Sequence, residues 1–354
     1  MSTSHRFSWE ESLLPPAMAL AIAMVVGDLL ILAYGASPGH IFGLLLEGTW
    51  GNAYGIGQTL YKATTLTCTG LAVAIPLRAG LFNIGAESQL AAGGFATALA
   101  MLAIPAGVPW PIAALVGVVA AALGGGLVGA IPGALRAKFG ASEVIVTIML
   151  NFVVLAFLNW VVAAKLHVPE SLHTPEIASG MVPRFADLSA TFRGSAANLS
   201  IILVVGLAAA AWWYLFRTTA GYELRAVGLQ PAAAECGGVR LGRTWFRALT
   251  LGGALAGIGG VNYVLGYTHY YEEGFGTGAG YLGIAVALVG RNHPAGVVLA
   301  ALLFATLSQG GLAVNALVPK QMVDVLQAVV IIAVVSSVPE VRQLLRSSRR
   351  SAES

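Results

Sequence analysis

The chain has 354 residues, 57% of them hydrophobic and only 10% charged, with a net charge of +3. A soluble globular domain carries roughly 25% charged residues, so the composition excludes that class and reads as an all-α polytopic membrane protein. Two cysteines, Cys68 and Cys236, and six scattered histidines give neither a disulfide framework nor metal-ligand spacing.

The first residues, MSTSHRFSWEESLLPP, do not read as a cleavable signal. A membrane-spanning helix needs about 20 apolar residues. About ten such stretches are predicted: 13–34, 57–77, 83–104, 111–135, 142–164, 199–216, 244–267, 280–290, 295–317 and 321–338. The stretch 280–290 is short, and reads either as a helix extended into the preceding glycine-rich segment or as a broken one. With alternating spans and the N-terminus inside, 14 of the 19 lysines and arginines fall on the inner side and 5 on the outer. That asymmetry is what the positive-inside rule demands, and flipping the chain or dropping one span spoils it. Both termini are therefore predicted to be cytoplasmic, with residues 1–12 and 339–354 as tails around a transmembrane domain at 13–338.

Two connecting segments stand out. Segment 165–198 contains Pro169, Pro175 and Pro183 and is predicted to be an external loop. Segment 217–247 reads RTTAGYELRAVGLQPAAAECGGVRLGRTWFR and is predicted to be cytoplasmic. It is too polar for lipid yet has two helix-forming pieces, 221–227 and 231–236. Pro231 suits the first turn of the second piece, where a missing N–H leaves nothing unsatisfied.

An internal echo links GLAVAIPLR at 70–78 with GIAVALVGR at 283–291, identical at five of nine positions. Phe95-Ala-Thr-Ala-Leu99 and Phe304-Ala-Thr-Leu307 follow. Equal orientation predicts a parallel internal repeat, a recurrent transporter device. Small residues recur every four positions at Gly117, Ala121, Gly125, Gly129 and Gly133, and again at Gly252, Ala256 and Gly260, flanked by Gly253 and Gly257. Such stripes let helix backbones approach closely, and contact within the chain is the expected use.

Polar groups inside apolar helices are costly and so informative. Asp28 falls in the first predicted span. Asn83, Glu87 and Gln89 cluster at the start of the third. They read equally as helix-end structure, with Asn83 as a cap and Glu87 favoured by the helix dipole, and as part of a substrate pathway or gate. Asn151 and Asn262 are lone amides within helices, expected to bond between helices or to meet a polar solute. No phosphate-binding loop, no zinc-binding helix signature and no nucleophile elbow occurs in the sequence. The chain is not expected to be an enzyme, to carry a cofactor or metal, or to bind nucleic acid. No series of intramembrane acids suggests a proton relay, which weakens a self-sufficient secondary transporter.

Four segments together carry a family resemblance: GLFNIGAESQ (80–89), SEVIVTIMLN (142–151), AGYELRAVGLQPAAAECGGV (220–239) and LGGALAGIGG (251–260). The chain resembles the membrane permease subunits of bacterial ABC importers, in the nucleoside and simple-sugar group related to ribose and branched-chain amino acid permeases. The family usually has glycine where Ser88 stands, and an aromatic followed by Gly-Ile where Cys236-Gly237-Gly238 stands. The resemblance implies a multi-pass protein of the bacterial inner membrane that admits a nucleoside or similar small polar solute, with a simple sugar as the alternative. It implies a coupling segment at Gly221, Tyr222, Glu223, Arg225, Gly228, Pro231, Ala232 and Ala233. It also implies a separate ATPase holding ATP and Mg, a second and different permease chain, an external substrate-binding lipoprotein and surrounding membrane lipid.

Overall fold

The computed structural model describes residues 21–333 apart from Ala23, Ala106 and Lys320. Both predicted tails, the first part of the span at 13–34 and the last part of that at 321–338 lie outside the described residues. Among the described residues regular structure is helical, with two isolated β-bridges and no strand. The chain divides into two compact units, Met1–Gly51 with Thr306–Ser354, and Asn52–Ala305.

In the first unit, helix α1 (Met24–Ala33) and helix α2 (Pro38–Thr49) meet at 113°. The bend has a local cause. Gly35 adopts φ +79, its N–H reaches the Leu32 carbonyl, and the Ala36 N–H reaches that of Ile31. This is the glycine-terminated helix end in which a left-handed residue satisfies the last carbonyls. Pro38 then opens α2 at a position where it needs no donor. The sequence reading ended a helix at residue 34 and did not foresee α2. Ile31, Ile41, Val314 and Val318 form this unit's apolar core, and helix α14 (Gln321–Ala333) closes the described chain.

The second unit holds α3 (Ala53–Arg78), α4 (Ala86–Ala103), α5 (Trp110–Phe139), α6 (Glu143–Val161), the single-turn α7 (Phe185–Leu188), α8 (Ser200–Arg217), α9 (Thr219–Leu229), α10 (Pro231–Cys236), α11 (Leu241–Tyr263) and α12 (Ala279–Val289). Helix α13 (Pro294–Val314) starts in it. Wider π-type turns extend α6 over Val162–Leu166 and α11 over Val264–Thr268. Six helices are long and apolar enough to cross a membrane, or seven if the bent pair α1–α2 counts as one span. Helix α4 falls short because Glu87, Ser88 and Gln89 occupy its first turn, and α12 because it has 11 residues.

The two small-residue stripes pack on each other inside the chain. A Cβ on Gly253 would overlap the Gly125 carbonyl, and one on Gly257 the Ala121 carbonyl. A Cβ on Gly129 would meet Leu249 and Gly253. Gly93 of α4 reaches Gly257 from another side, so three helices touch there backbone to backbone. The echoed segments also pack together. Gly283 lies against Thr69 and Gly70 against Val286, while the Arg78 side chain bonds the carbonyls of Asn292 (2.9 Å) and Arg291 (3.3 Å). The two segments therefore run side by side in the same direction.

Segment 165–198 is tied down over much of its length. Thr174, Ile177 and Val182 donate backbone bonds to Tyr271, His269 and Leu265, and Glu273 returns one to Leu172. Burial, with the Arg184 charge behind it, holds the His269 pKa below its usual value. The neutral ring accepts from Arg184 Nη2 through Nε2 at 2.6 Å.

The close approach at Gly257 sets a prediction. Gly257→Ala places a methyl in backbone and should cost at least the ~1–3 kcal/mol of an overpacked core. Gly206, whose Cβ position is open, should accept alanine without loss. Melting temperatures of the purified variants in detergent compare them directly, and a Gly257→Ala protein as stable as wild type contradicts the contact.

Candidate functional site

Helix α4 begins at Gly85, which makes no side-chain cap. Asn83, expected to be the cap, instead turns back on the segment before the helix. Its Oδ1 accepts from the Gly85 N–H at 3.1 Å, the local turn that asparagine favours. Its Nδ2 donates to the Ala72 carbonyl (3.1 Å) and to Gln89 Oε1 (2.9 Å), and Gln89 Nε2 returns a bond to Asn83 Oδ1 (3.2 Å). Both amides are fully buried. The pair locks the segment before α4 to α3.

Glu87 does something the linear sequence does not show. It sits in the first turn of α4, where the helix dipole favours an anion. Its carboxylate also reaches the start of α12. Oε1 accepts from the Gly278 N–H at 2.5 Å and Oε2 from the Gly280 N–H at 2.7 Å. Helix starts leave their first N–H groups unsatisfied, and this carboxylate from α4 meets two of them at the start of α12. Gly278 has φ +87, a left-handed backbone that glycine adopts without strain. A Cβ on Gly280 would overlap the Glu87 backbone, so no side chain fits between the helices.

Helix α6 supplies the third side. Glu143, Thr147 and Asn151 are four residues apart and share one face. Thr147 Oγ1 accepts from the Ile84 N–H (3.3 Å), and Glu143 Oε1 from the Phe82 N–H (3.4 Å). Asn151 Oδ1 accepts from the Ser88 N–H (3.1 Å), while its Nδ2 donates to the Ile84 carbonyl (3.0 Å) and Tyr281 Oη (3.2 Å). Ser88 fits by donating its hydroxyl to the Gly85 carbonyl at 3.1 Å. Asn83, Glu87, Gln89 and Asn151 thus belong to one buried knot. Thr147, Tyr281 and the two glycine N–H groups complete it. Thr147 was not singled out from sequence, although its spacing between Glu143 and Asn151 was the available signal.

Asn262 lies in a different network. Its Nδ2 donates to the Tyr61 carbonyl and to Thr65 Oγ1, each at 2.9 Å, and its Oδ1 accepts from Asn198 Nδ2 at 2.9 Å. It joins α11 and α3 to the start of α8.

The segment after α8 folds as expected into two short helices. Thr218 caps α9 by accepting from the Gly221 N–H at 3.1 Å. Leu224 and Val227 are buried, Gly221 packs on the Tyr214 and Leu215 backbone, and Gly228 packs on that of Arg78. Glu223 pairs with Arg247 at 4.0 Å, and the Arg225 guanidinium lies 5.1 Å from the Phe216 ring centre. Four of the eight expected coupling residues, Gly221, Glu223, Arg225 and Gly228, therefore anchor or flank this hook of α9 and α10. Tyr222, Pro231, Ala232 and Ala233 face out, together with Leu229, which is 85% exposed. Ala234 alone in α10 is buried.

Removing the Glu87 carboxylate strands the Gly278 and Gly280 N–H groups. Glu87→Ala should destabilise by ~1–3 kcal/mol for each orphaned donor, and Glu87→Gln by less, since one amide oxygen remains. Thermal melting and yield of folded protein in detergent test this, and a Glu87→Ala protein that melts with wild type removes the carboxylate from the knot.

Residues 55–335 match the family described as "Branched-chain amino acid transport system / permease component". Among curated relatives, the guanosine ABC transporter permease protein NupP of Bacillus subtilis is 36% identical over 92% of this chain and 93% of its own. The nucleoside ABC transporter permease protein NupB of Lactococcus lactis is 34% identical over 90% and 89%. The glucose ABC transporter permease protein TsgB13 of Haloferax volcanii is 31% identical over 91% and 87%. No solved structure matches the chain significantly. The match spans both the buried knot and the exposed hook, and the chain therefore belongs to the permease-component family of branched-chain amino acid transport systems.

Proposed function

We propose that this permease imports a nucleoside, as one half of the membrane pathway of an ATP-driven transporter. The observation that carries the reading is near full-length similarity to a guanosine and a nucleoside permease. A simple sugar is the second reading, favoured by the glucose permease relative. A nucleoside contains a pentose, so the two readings share hydroxyl-rich chemistry. The protein sits in the bacterial inner membrane with ten spans and both termini inside. α4 and α12 count among the spans despite their polarity and shortness, and a parallel repeat relates α3 to α12. Side-by-side packing of residues 70–78 and 283–291 supports that repeat.

The hook at α9–α10 docks on a separate ATPase, which holds ATP and Mg. Exposed Tyr222, Leu229, Pro231, Ala232 and Ala233 supply the contact, while Gly221, Glu223, Arg225 and Gly228 hold it to the chain. A second, different permease completes the pathway, and an external lipoprotein delivers the solute. Asn83, Glu87, Gln89 and Asn151 serve the pathway by fixing the helix starts around it, since their polar atoms are engaged within the chain. Asn262 fixes the opposite network at Asn198.

Ala233→Glu puts a carboxylate into the proposed contact, and burying an unpaired charge there costs several kcal/mol. The permease should still fold but lose its ATPase on affinity purification, and ATP-driven uptake of labelled guanosine into vesicles should fall to background. Intact co-purification and uptake would remove the hook from the coupling path. Uptake of labelled glucose in preference to any nucleoside would replace the substrate. Orientation has its own readout. Cys236 is exposed and Cys68 buried, so an impermeant thiol reagent should reach Cys236 only from the inner side. A cysteine placed at Leu188, 66% exposed, should react from the outer side, and labelling of both from one side contradicts the topology.

A further inference from the structure

Between α8 and the first turns of α13 runs an open groove of about 610 Å³, within the ~300–1,000 Å³ typical of small-ligand sites. Val205, Ala209 and Trp212 line one wall, at the i, i+4, i+7 spacing of a single helix face. Val298 and Leu299 line the other, and His293 stands beside Phe216, which is in the last turn of α8. The small side chains of Ala208 and Ala295 also line the groove. Val205 and Leu299 are 55% and 68% exposed. Both helices are apolar enough to cross a membrane, so acyl chains are the solvent of this face.

Positive charge gathers at one end of the groove. The Arg217 guanidinium lies 5.6 Å from the Trp212 ring centre. The Phe216 ring lies 5.4 Å from that of His293, with Arg225 at 5.1 Å and Arg78 at 5.8 Å from it. Neither α8 nor α13 contains an acidic residue. Arg78, Arg217 and Arg225 form no ion pair among the described residues, and Arg225 Nε is buried without a hydrogen-bond partner there. Glu223, the one acid on α9, pairs with Arg247. Burial first and the Arg78 charge second press the His293 pKa downward.

We infer that the groove between α8 and α13 binds an anionic phospholipid, with an acyl chain along Val205, Ala209, Trp212 and Leu299 and the phosphate at Arg217 and His293. A chain-wide apolar channel ending in basic groups is the arrangement that selects an anionic headgroup over a zwitterionic one. Zwitterionic lipid fills the same channel without gaining from the charge.

The test reconstitutes the full-length chain in phosphatidylcholine vesicles containing a brominated lipid, either phosphatidylglycerol or phosphatidylcholine, at equal mole fraction. Trp212→Phe isolates the signal of Trp212 from the other tryptophans. Quenching of Trp212 should show about a fivefold preference for the anionic lipid, the factor that one basic residue near an anionic surface supplies. Arg217→Gln with His293→Gln should bring the two lipids level, and Ala209→Phe, which fills the channel, should weaken quenching by both. Native mass spectrometry of the wild-type chain released from an equimolar lipid mixture gives the same comparison without substitution, and should retain phosphatidylglycerol. Equal quenching and equal retention of the two lipids overturn the inference. So does an unquenched Trp212, which would mean that protein covers the groove.

Discussion

The carboxylate of Glu87, in the first turn of α4, holds the start of α12 against α4. Each helix start presents backbone N–H groups with no partner in its own helix, and burial makes an unmet N–H expensive. Glu87 answers the start of α12, at 2.5 and 2.7 Å to Gly278 and Gly280, while Asn83 and Asn151 answer the Gly85 and Ser88 N–H groups at the start of α4. Charge-assisted bonds like those of Glu87 are about twice as strong as neutral ones. Helix α12 has only 11 residues, so its attachment rests heavily on this end and on the Arg78 bonds just beyond its other end.

That arrangement requires backbones to come very near one another. Gly280 lies directly on Glu87, as Gly257 lies on Ala121 and Gly93. In lipid the hydrophobic effect does not drive helices together, and close packing with interhelical hydrogen bonds takes its place. The glycine contacts bring α4, α5 and α11 within reach, and the buried amides then bond across the short gaps. Asn151 joins α6 to α4, and Asn262 joins α11 to α3. A methyl group at either kind of contact separates the elements that the polar bonds need to span.

The hook of α9 and α10 follows the opposite logic. Its inner face is fixed by small or apolar residues, Gly221, Leu224, Val227 and Gly228, packed on the ends of α8 and α3. Its tip leaves Leu229 and the Pro231-Ala-Ala run uncovered. The tip is thus apolar and exposed while its base is seated on the ends of two long apolar helices. The knot at Glu87 and the hook are linked through α3, whose last turn meets Gly228 and whose Ala72 carbonyl holds Asn83.

Much of this was legible from the residues alone. Composition gave the helical membrane class, the four-residue spacing of glycines gave close helix contact within the chain without saying that the two stripes meet, and polar, alanine-rich sequence with Pro231 gave both short helices of the hook. The resemblance of 80–89 and 220–239 gave the family. The sequence also drew attention to Asn83, Glu87, Gln89 and Asn151, but not to what they bond. It assigned Asn83 to a helix cap, where Gly85 stands, and it passed over Thr147 and helix α2. The signals used are local: hydropathy, periodicity and capping residues depend on neighbours a few positions away. The acceptor for Gly278 and Gly280 is a carboxylate nearly two hundred positions earlier, and only the packing of α4 beside α12 decides that pairing.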